Sequence, residues 1–261
     1  MDGGVWVSGK RIAVAHDVAK NLAEADPNTI MGMVVGYSAS MRAIATMIRQ
    51  VAESPSTTVL LQGESGTGKD VVARAIHLLS SRAVYPFVDI NCAAIPDSLL
   101  ETELFGVEAG AFTDARATRE GHLFRAHHGT LFLDEIGSMP LMLQAKLLRF
   151  LETHRFRRVG GTKEQHVDLR IISATNIDLK TAVAHKAFRE DLFYRLAVIT
   201  LYLPPLRERL EDIELLVEHF LKLHQLEGTE PLRVHPEAMK LLVNYSWPGN
   251  VRQLRSVIQR G

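Results

Sequence analysis

Eight residues, GESGTGKD, constrain the fold of this chain more than any other stretch. They run from Gly63 to Asp70 and fit the pattern G-x-x-x-x-G-K. A short apolar run typical of a buried strand, VLLQ (59–62), precedes them, and a helical pattern begins after Gly68. In that setting the glycines let backbone N–H groups surround phosphates, and Lys69 brings a positive charge to the β- and γ-phosphate oxygens. The alternative, a glycine-rich surface turn, is disfavoured because it requires neither the strand nor the helix.

The residue after the lysine departs from the usual form of this motif. A Ser or Thr normally stands there and binds Mg²⁺ through its hydroxyl, whereas this chain has Asp70. A carboxylate does not donate a hydrogen bond to a phosphate, but it binds magnesium directly or through water. The sequence therefore predicts ATP and Mg²⁺ as cofactors, with Asp70 as one candidate metal ligand.

The rest of the chain alternates strand-like and helix-like patterns up to about residue 205. Such alternation predicts an α/β fold with a mostly parallel sheet flanked by helices. The predicted strands are 59–62, 87–91, 130–135 and 168–176, and the predicted helices include 38–53 and 140–154. After LPPLRER (203–209) the pattern becomes entirely helical. We therefore predict a linker or upstream remnant at 1–30, an α/β unit at 31–205 and a small α-helical unit at 206–261.

A pair of acidic residues ends one of these strands. TLFLDE closes on Asp134 and Glu135. Beside a phosphate loop, Asp134 at a strand tip would hold Mg²⁺, and Glu135 would orient and polarise the attacking water. An acidic turn that caps a strand is the alternative and would be preferred if the pair stood alone. Together with the phosphate loop, the pair favours hydrolysis.

Other polar residues fit a nucleotide site less specifically. Thr175 and Asn176 end the strand of SATN and would sense a γ-phosphate, although an ordinary strand-end turn explains them equally well. Arg189 and Arg195 in FREDLFYRL have surface ion pairs as their alternative. The helix that follows the turn in WPGNVRQL carries Arg252 and Arg255. An arginine there would reach over a nucleotide, or would lie on a solvated helix face.

Composition argues against several other classes. The 30 Lys and Arg balance the 30 Asp and Glu, so net charge gives no reason to expect nucleic-acid binding. The single cysteine, Cys92, permits no intrachain disulfide, which predicts a reducing, cytoplasmic location. We expect Cys92 to be a small buried apolar residue. No apolar run is long enough to cross a membrane. The last residues read as a helix without a stop signal, so we expect a piece of a longer protein.

Taken together, the motifs resemble the central AAA+ ATPase domain of sigma-54-dependent transcriptional activators, the bacterial enhancer-binding proteins of the NtrC and PspF type. In order along the chain they are GESGTGKD, NCAAIPDSLLETELFG, GAFTDA, GTLFLDEIG, LLRFLE with RRVGG, SATN, FREDLFYRL, LPPLRER and WPGNVRQL, covering about Val34 to Gly261. The resemblance implies an AAA+ P-loop NTPase fold with a C-terminal α-helical lid subdomain. It also implies ATP hydrolysis coupled to remodelling of sigma-54 RNA polymerase.

The resemblance also implies roles for single residues. An acidic residue such as Asp70 is usual after the family's P-loop lysine. Asn91 matches the polar partner that holds the catalytic glutamate, here Glu135, inactive until the ring is engaged. Arg189 and Arg195 match the arginine fingers that a neighbouring subunit inserts toward ATP. A ring, usually a hexamer, follows because each site is completed by the next subunit.

The resulting assignment has three parts. The catalytic set is Lys69, Asn91, Asp134, Glu135, Thr175, Asn176, Arg189 and Arg195. The ATP-binding set, in which Val35 and Gly36 flank the adenine and Arg252 is the lid arginine, is Val35, Gly36, Gly63, Glu64, Ser65, Gly66, Thr67, Gly68, Lys69, Asp70, Val71 and Arg252. The magnesium ligands are Asp70 and Asp134.

In this family a GAFTGA loop grips sigma-54. The loop here comprises Gly110, Ala111, Phe112, Thr113, Asp114 and Ala115. Phe112 and Thr113 match the contacting pair, whereas Asp114 stands where the family usually has glycine and changes the charge near the pore. We expect a basic group, Arg116 or a neighbour's Arg157–Arg158, to neutralise it. RFRRVGG (155–161) matches a second loop beside the first.

Two alternative functions remain open besides sigma-54 activation. One is an AAA+ ATPase of the same lineage whose loop acts on another protein, and the other is a nucleotide-gated interaction module with little turnover. No C-terminal helix-turn-helix is recognisable, so promoter DNA is expected as an indirect partner only.

Overall fold

The computed structural model describes residues 34–111, 117–224 and 232–260, without the side chains of Val35 and His224. It also describes the backbone of three short segments nearer the start, Val5–Val7, Lys10–Ile12 and Thr29–Ile30. The first two of these pair with each other, and the third pairs with Val34–Val35, both in antiparallel fashion.

A five-stranded parallel sheet forms the centre of the molecule, as the alternation of strands and helices predicts. Its strands are β1 (Val59–Gln62), β2 (Phe87–Asn91), β3 (Thr130–Asp134), β4 (Arg170–Thr175) and β5 (Ile199–Tyr202). They lie in the order β5-β1-β4-β3-β2, and every neighbouring pair is parallel. Strand β5 was not among the predicted strands, because at this edge of the sheet only Leu201 of its four residues is buried.

Besides two 3₁₀ turns at Ile136–Ser138 and Leu206–Glu208, the described part of the chain contains ten α-helices. They are α1 (Ala39–Ala52), α2 (Lys69–Leu78), α3 (Asp97–Phe105), α4 (His122–Arg125), α5 (Leu141–Thr153), α6 (Leu179–Ala184), α7 (Glu190–Leu196), α8 (Asp212–His224), α9 (Pro236–Asn244) and α10 (Asn250–Ile258). None of these helices has the length and hydropathy needed to span a bilayer.

Side chains alternate between the two faces of the sheet and so build two cores. Val59, Leu61 and Ile172 pack with Phe132 against α1 and α2 on one face. Leu60 belongs to the other core, which is built against α3 to α7. The period of two along each strand therefore explains why these central strands read as continuous apolar runs. Cys92 is buried in the second core, as predicted.

Helices α8, α9 and α10 form a third, smaller core of their own. Leu206, Ile213, Leu216, Val217, Phe220, Trp247 and Leu254 are its buried members. Trp247 has a left-handed backbone (φ 50°) and donates its indole N–H to the carbonyl of Leu242 at 2.8 Å. The predicted C-terminal helical unit is thus confirmed, and WPG is a packed turn within it. Below, the lid means α8 to α10 together with residues 206–211, which lead into α8.

The direction of the strands decides where the polar residues meet. The carboxyl ends of parallel strands lie at one edge of a sheet, and Asn91 is in register with Asp134 there. Thr175 is in register with Gln62 at the same edge, and its carbonyl accepts the N–H of Gly63 at 3.2 Å. The phosphate loop and the predicted strand-end residues therefore share one edge.

Candidate functional site

A cavity of about 500 Å³ lies between this carboxyl edge and the lid. Ten of the residues predicted for a nucleotide site line it: Ser65, Gly66, Gly68, Lys69, Asp70, Val71, Asn91, Asp134, Glu135 and Arg252. The carboxyl edge of a parallel sheet is where α/β proteins usually bind ligands. We call this cavity the cleft.

The phosphate loop has the backbone geometry that its glycines predict. Gly66 and Gly68 have left-handed φ angles of 81° and 100°. Only glycine adopts such angles without strain, so these two positions explain why the motif needs glycine. Helix α2 begins at Lys69, immediately after the loop. Its free N–H groups and its dipole therefore favour an anion at this end.

Lys69 is buried in the loop and points its ammonium group at loop carbonyls. Its Nζ donates to the carbonyl of Gly63 at 2.8 Å and to that of Glu64 at 3.1 Å. Burial lowers the pKa of Lys69, while the nearby carboxylates of Glu135 and Asp134 act in the opposite direction. The site therefore places a partly desolvated cation between an anion-binding loop and two carboxylates.

Asp134 and Glu135 line the same cleft as this lysine. Burial raises the pKa of Asp134, and the N–H of Glu135, which donates to Asp134 Oδ1 at 3.0 Å, opposes that shift. Glu135 itself has a left-handed backbone (φ 51°, ψ 47°). This conformation is uncommon for a residue with a side chain and costs on the order of 1–3 kcal/mol, and such strain is concentrated at functional sites.

Asn91 contacts a different carboxylate from the one expected. The family resemblance implies a pair with Glu135, but the Asn91 amide Nδ2 donates to Asp134 Oδ2 at 3.4 Å. Its Oδ1 accepts the backbone N–H groups of Ala93 and Ala94 at 2.9 and 3.1 Å. These two bonds hold the amide over the strand end, beside Asp134 rather than Glu135.

The carboxylates suit a hard cation. Asp70 and Asp134 line the same cleft, and their negative charges interact, since Asp70 contributes to raising the pKa of Asp134. Magnesium prefers oxygen ligands and is usually held by one or two carboxylates together with substrate phosphates. No cluster of three or more His, Cys, Asp or Glu side chains suited to a metal is present in the described residues. The donor set therefore fits a cation shared with a phosphate ligand.

Thr175 and Asn176 lie near the cleft without lining it. Thr175 is buried, and its Oγ1 accepts the N–H of Ile177 at 3.2 Å, which is a strand-end turn. Asn176 is exposed to solvent. The hydrogen bond of Thr175 agrees with the alternative interpretation, an ordinary strand-end turn. A role for these two residues in sensing a γ-phosphate stays a prediction.

Neither Arg189 nor Arg195 lines the cleft of its own chain. Arg189 forms a two-pronged ion pair with Asp191, with Nε–Oδ1 and Nη2–Oδ2 distances of 3.0 and 2.7 Å. The guanidinium of Arg195 donates to the carbonyl of Leu151 at 3.0 Å, and its own carbonyl accepts from Thr58 at 2.8 Å. Thr58 precedes β1, whereas the phosphate loop follows it, so Arg195 lies toward the opposite edge of the sheet.

The lid closes the other side of the cleft. Nη1 of Arg252 donates to Ser65 Oγ at 3.2 Å, and its backbone N–H donates to the carbonyl of Gly66 at the same distance. A Cβ on Gly66 would lie 2.4 Å from the carbonyl oxygen of Gly249. The first turn of α10 therefore rests directly on the phosphate loop.

Several cleft residues were missed by the sequence interpretation. They are Asp89, Ile90, Phe132, Leu216, His219, Phe220, Leu223 and Val251, whereas Arg255, one of the two arginines predicted to reach over a nucleotide, lines the cleft beside Arg252. Leu216, Phe220 and Leu223 share one face of α8 by helical spacing, a signal that the sequence contains. That spacing predicts a buried face but not what the face packs against. Only the position of α8 in the structure shows that these residues line the cleft.

The segment predicted to flank adenine is fixed by the start of the lid. Asp212 accepts the N–H groups of Tyr37 and Ser38 at 2.7 and 2.8 Å, and the Ser38 hydroxyl at 2.7 Å. A Cβ on Gly36 would lie 2.8 Å from Met41 Cγ and 3.0 Å from Asp212 Oδ2. Glycine at position 36 therefore permits a close approach between the core and the lid.

Only the base of the GAFTDA loop can be described. Gly110 and Ala111 belong to the described residues, whereas Phe112, Thr113, Asp114, Ala115 and Arg116 lie outside them. The chain enters the loop at Gly106–Val107 and leaves it at Arg119–Glu120, and these two segments pair as antiparallel strands. The expected neutralisation of Asp114 therefore stays a prediction.

The second loop lies beside the first, as the resemblance implies, but it is not all loop. Arg155–Arg157 forms a strand that pairs with Glu164–His166. Beyond it, the carbonyl of Val159 accepts the N–H of Glu108 at 3.0 Å, and a Cβ on Gly160 would lie 2.4 Å from Ala111 Cβ.

Arg158 is already engaged within its own chain. Its Nη1 donates to Glu108 Oε1 at 2.9 Å, and the Thr118 hydroxyl donates to the other oxygen of the same carboxylate at the same distance. Glu108 thus connects both sides of the loop base. Of the two arginines expected to neutralise Asp114 from a neighbour, Arg158 is therefore occupied within its own chain, whereas the side chain of Arg157 has no partner among the described residues.

Two family models together match most of the chain. The sigma-54 interaction domain matches residues 34–202, and an AAA+ ATPase lid domain matches residues 207–261. Among curated relatives, the regulatory protein AtoC of Escherichia coli K12 is 54% identical over 230 residues, which is 88% of this chain and 50% of AtoC. The putative uric acid sigma-54-dependent transcriptional regulator UacR from the same organism is 52% identical over 241 residues, which is 92% of this chain and 40% of UacR.

The fold is also that of a solved relative. The crystal structure of NtrX from Brucella abortus in complex with ADP is 46% identical and superimposes with a TM-score of 0.80, over 87% of this chain and 49% of NtrX. The chain thus spans about half or less of the length of these relatives.

Proposed function

The chain belongs to the sigma-54 interaction domain family of AAA+ proteins, and from that premise we propose that it hydrolyses ATP in the presence of Mg²⁺. We further propose that it couples this hydrolysis to remodelling of sigma-54 RNA polymerase, which activates transcription. The single observation that carries the proposal is the convergence of Lys69, Asp134 and Glu135 in one cleft under a lid arginine, Arg252. The ADP complex of NtrX supports a nucleotide as the occupant.

Each group in the cleft has a task in hydrolysis. The glycine loop presents backbone N–H groups to the phosphates, and the ammonium of Lys69 faces the β- and γ-oxygens. Asp70 and Asp134 would hold Mg²⁺, which neutralises negative charge on the phosphates when it is bound. Glu135 orients the attacking water. Its strained backbone supports this role, because strain is kept where geometry matters to function.

The site is proposed to be completed by another copy of the chain. Arg189 and Arg195 lie outside their own cleft, which supports a role as arginine fingers for a neighbouring subunit in a ring, most simply a hexamer. The ring would present the Phe112–Thr113 loops to sigma-54. Promoter DNA would be contacted through the polymerase. We also propose the division of the chain that the sequence predicts: a linker or upstream remnant at 1–30, an α/β unit at 31–205 and a helical unit at 206–261.

The catalytic part is tested with two substitutions and a matched control. Lys69→Ala should abolish ATP binding, whereas Glu135→Gln should keep binding and lower turnover by about 10²–10⁴, the usual worth of a positioned acid or base. Glu152→Gln, on the exposed side of α5, makes the same chemical change away from the cleft and should leave turnover unchanged. Normal hydrolysis by Glu135→Gln contradicts the proposed role of Glu135.

The assembly part is tested by mixing variants. Arg189→Ala should lose about 10³–10⁵ in turnover, the range measured for arginine fingers, while still binding ATP. Mixed with Lys69→Ala it should regain part of the activity, because an intact cleft and an intact finger then come from different subunits. Mixed assemblies that stay inactive, with mixing verified by labelled chains, argue against completion by a neighbour.

Failure of the wild type to capture sigma-54 despite turnover would favour a different protein partner.

A further inference from the structure

Three consecutive carbonyls of the phosphate loop point at the lid. Each accepts one hydrogen bond from that side. The pairs are Ser65 O with Asn250 Nδ2 at 3.0 Å, Gly66 O with Arg252 N at 3.2 Å, and Thr67 O with Arg209 Nη2 at 3.1 Å. Asn250 and Arg209 are almost completely buried, so water does not replace these bonds readily.

This arrangement bears on the phosphate side of the loop. In a planar trans peptide the carbonyl and the N–H point in opposite directions. Holding the carbonyls of Ser65 and Thr67 toward the lid segment turns the N–H groups of the next residues, Gly66 and Gly68, the other way. Neither of these N–H groups donates a hydrogen bond within the described residues. They are thus left for an anion in the cleft, as expected of a phosphate loop.

Glu64, the second residue of the loop, keeps the lid donors in place. Its carboxylate accepts both arms of Arg207, at 2.8 and 2.6 Å, and the amide of Asn250 at 3.1 Å. The other end of that amide, Asn250 Oδ1, accepts the N–H of Leu206 at 2.8 Å. Because its oxygen is used there, the amide has only one orientation in which Nδ2 faces Glu64 and Ser65.

We propose that Glu64, Asn250 and Arg209 are positioning residues through which the lid holds the phosphate loop in its anion-binding shape. The inference rests on the proposed binding of ATP in the cleft, and it adds that phosphate affinity depends on how the lid is docked. By reciprocity, a bound polyphosphate also favours the docked lid. None of the three residues needs to touch the nucleotide for this effect.

The decisive variant is Asn250→Asp, tested in the full chain. It keeps the side-chain shape and the acceptor for Leu206 but replaces the donated N–H groups by a carboxylate oxygen facing Glu64. We expect the dissociation constant for ATP to rise at least about tenfold, because the Ser65 carbonyl loses its donor and the new carboxylate repels that of Glu64. Asn244→Asp is the matched control, because Asn244 makes a local bond to the carbonyl of Lys240 on the exposed side of α9. It should bind ATP like the wild type.

Inorganic tripolyphosphate separates loop shape from base recognition. If the lid shapes the phosphate loop, Asn250→Asp weakens tripolyphosphate and ATP by the same factor. If the substitution disturbs only the adenine side, tripolyphosphate binds normally and the proposal is overturned. Arg207→Ala removes a half-exposed partner of Glu64 and should raise the dissociation constants for ATP and for tripolyphosphate about twofold to fivefold. This variant replaces Asn250→Asp in the test if Asn250→Asp does not fold.

The outcomes are distinguishable. A folded Asn250→Asp or Arg207→Ala that binds tripolyphosphate as tightly as Asn244→Asp overturns the positioning role and leaves the ATPase proposal intact. A folded wild-type chain that binds neither ATP nor tripolyphosphate overturns both.

Discussion

The lid meets the α/β core at two junctions that use the same chemistry in different surroundings. At each of them a carboxylate accepts at least three hydrogen bonds from the other unit. Asp212, on the lid, has no exposed surface and binds the Tyr37–Ser38 turn. Glu64, on the core, is 40% exposed in its side chain and binds Arg207, which is 45% exposed, and the buried Asn250.

The difference in burial gives the two junctions different roles. Removing one partner of a buried charged group leaves the others unpaired in a region of low dielectric, so the Asp212 junction is costly to break and acts as a fixed anchor. An exposed ion pair contributes little and yields to salt, so the Glu64–Arg207 contact opens at small cost, whereas the contact of Glu64 with the buried Asn250 does not. A lid that pivots would therefore keep the Asp212 contact and lose the Glu64–Arg207 ion pair first.

The largest effect is expected from Asp212→Ala. It leaves two N–H groups and the Ser38 hydroxyl without their acceptor and removes the carboxylate that opposes the burial of Arg209. We expect the free energy of unfolding, measured in urea, to fall by about 3–5 kcal/mol. Glu211→Ala, at an exposed neighbouring position, should change it by less than about 0.5 kcal/mol. A loss below about 1 kcal/mol at Asp212 would remove the distinction between the junctions.

An intermediate effect is expected from Gly66→Ala, which presses the lid off the loop. The new Cβ would lie 2.4 Å from the carbonyl oxygen of Gly249, in addition to the strain of a φ of 81°. Gly110→Ala is a matched control, since Gly110 has a φ of 82° and no atom of the described residues lies within 4 Å of the new Cβ. Gly66→Ala should be less stable than Gly110→Ala by about 1–3 kcal/mol, the cost of overpacking. Equal losses would show that the lid is free to move away.

The smallest effect is expected from Arg207→Ala, at about 0.5–1 kcal/mol in low salt. Hydrogen bonds from Arg207 and Asn250 lower the pKa of Glu64 to about 2, from an ordinary value of 4.5. A lowered carboxyl pKa stabilises the folded state above pH 4.5, and this contribution is lost as the pH falls from 4.5 toward 2. The difference between wild type and Arg207→Ala should therefore vanish near pH 2, provided that both proteins remain folded, and shrink in about 1 M salt. A difference that is independent of salt and pH would mean that packing, not charge, holds this junction.

The strands of the sheet show which elements a local sequence pattern predicts and which it does not. Strands β1 and β2 begin and end at the predicted residues, 59–62 and 87–91, because each is an apolar or alternating run bounded by turn residues. Strand β5 escaped the sequence interpretation because an edge strand needs only one buried residue here, Leu201. The strand at Arg155–Arg157 was read as part of a loop, since three residues of which one is buried carry too little periodicity.

By itself, the sequence determined the phosphate loop, the α/β alternation, the helical lid and the strand-end carboxylates. All of these are local, since a glycine with positive φ, a buried strand or a helix start depends on neighbours within a few residues. The tertiary structure alone decided that Asn91 faces Asp134 rather than Glu135, and that Glu64 meets Arg207 and Asn250, which are 143 and 186 residues away along the chain. Such contacts depend on how two separately cored units dock, and a long-range hydrogen bond imposes no spacing on the sequence that would reveal it.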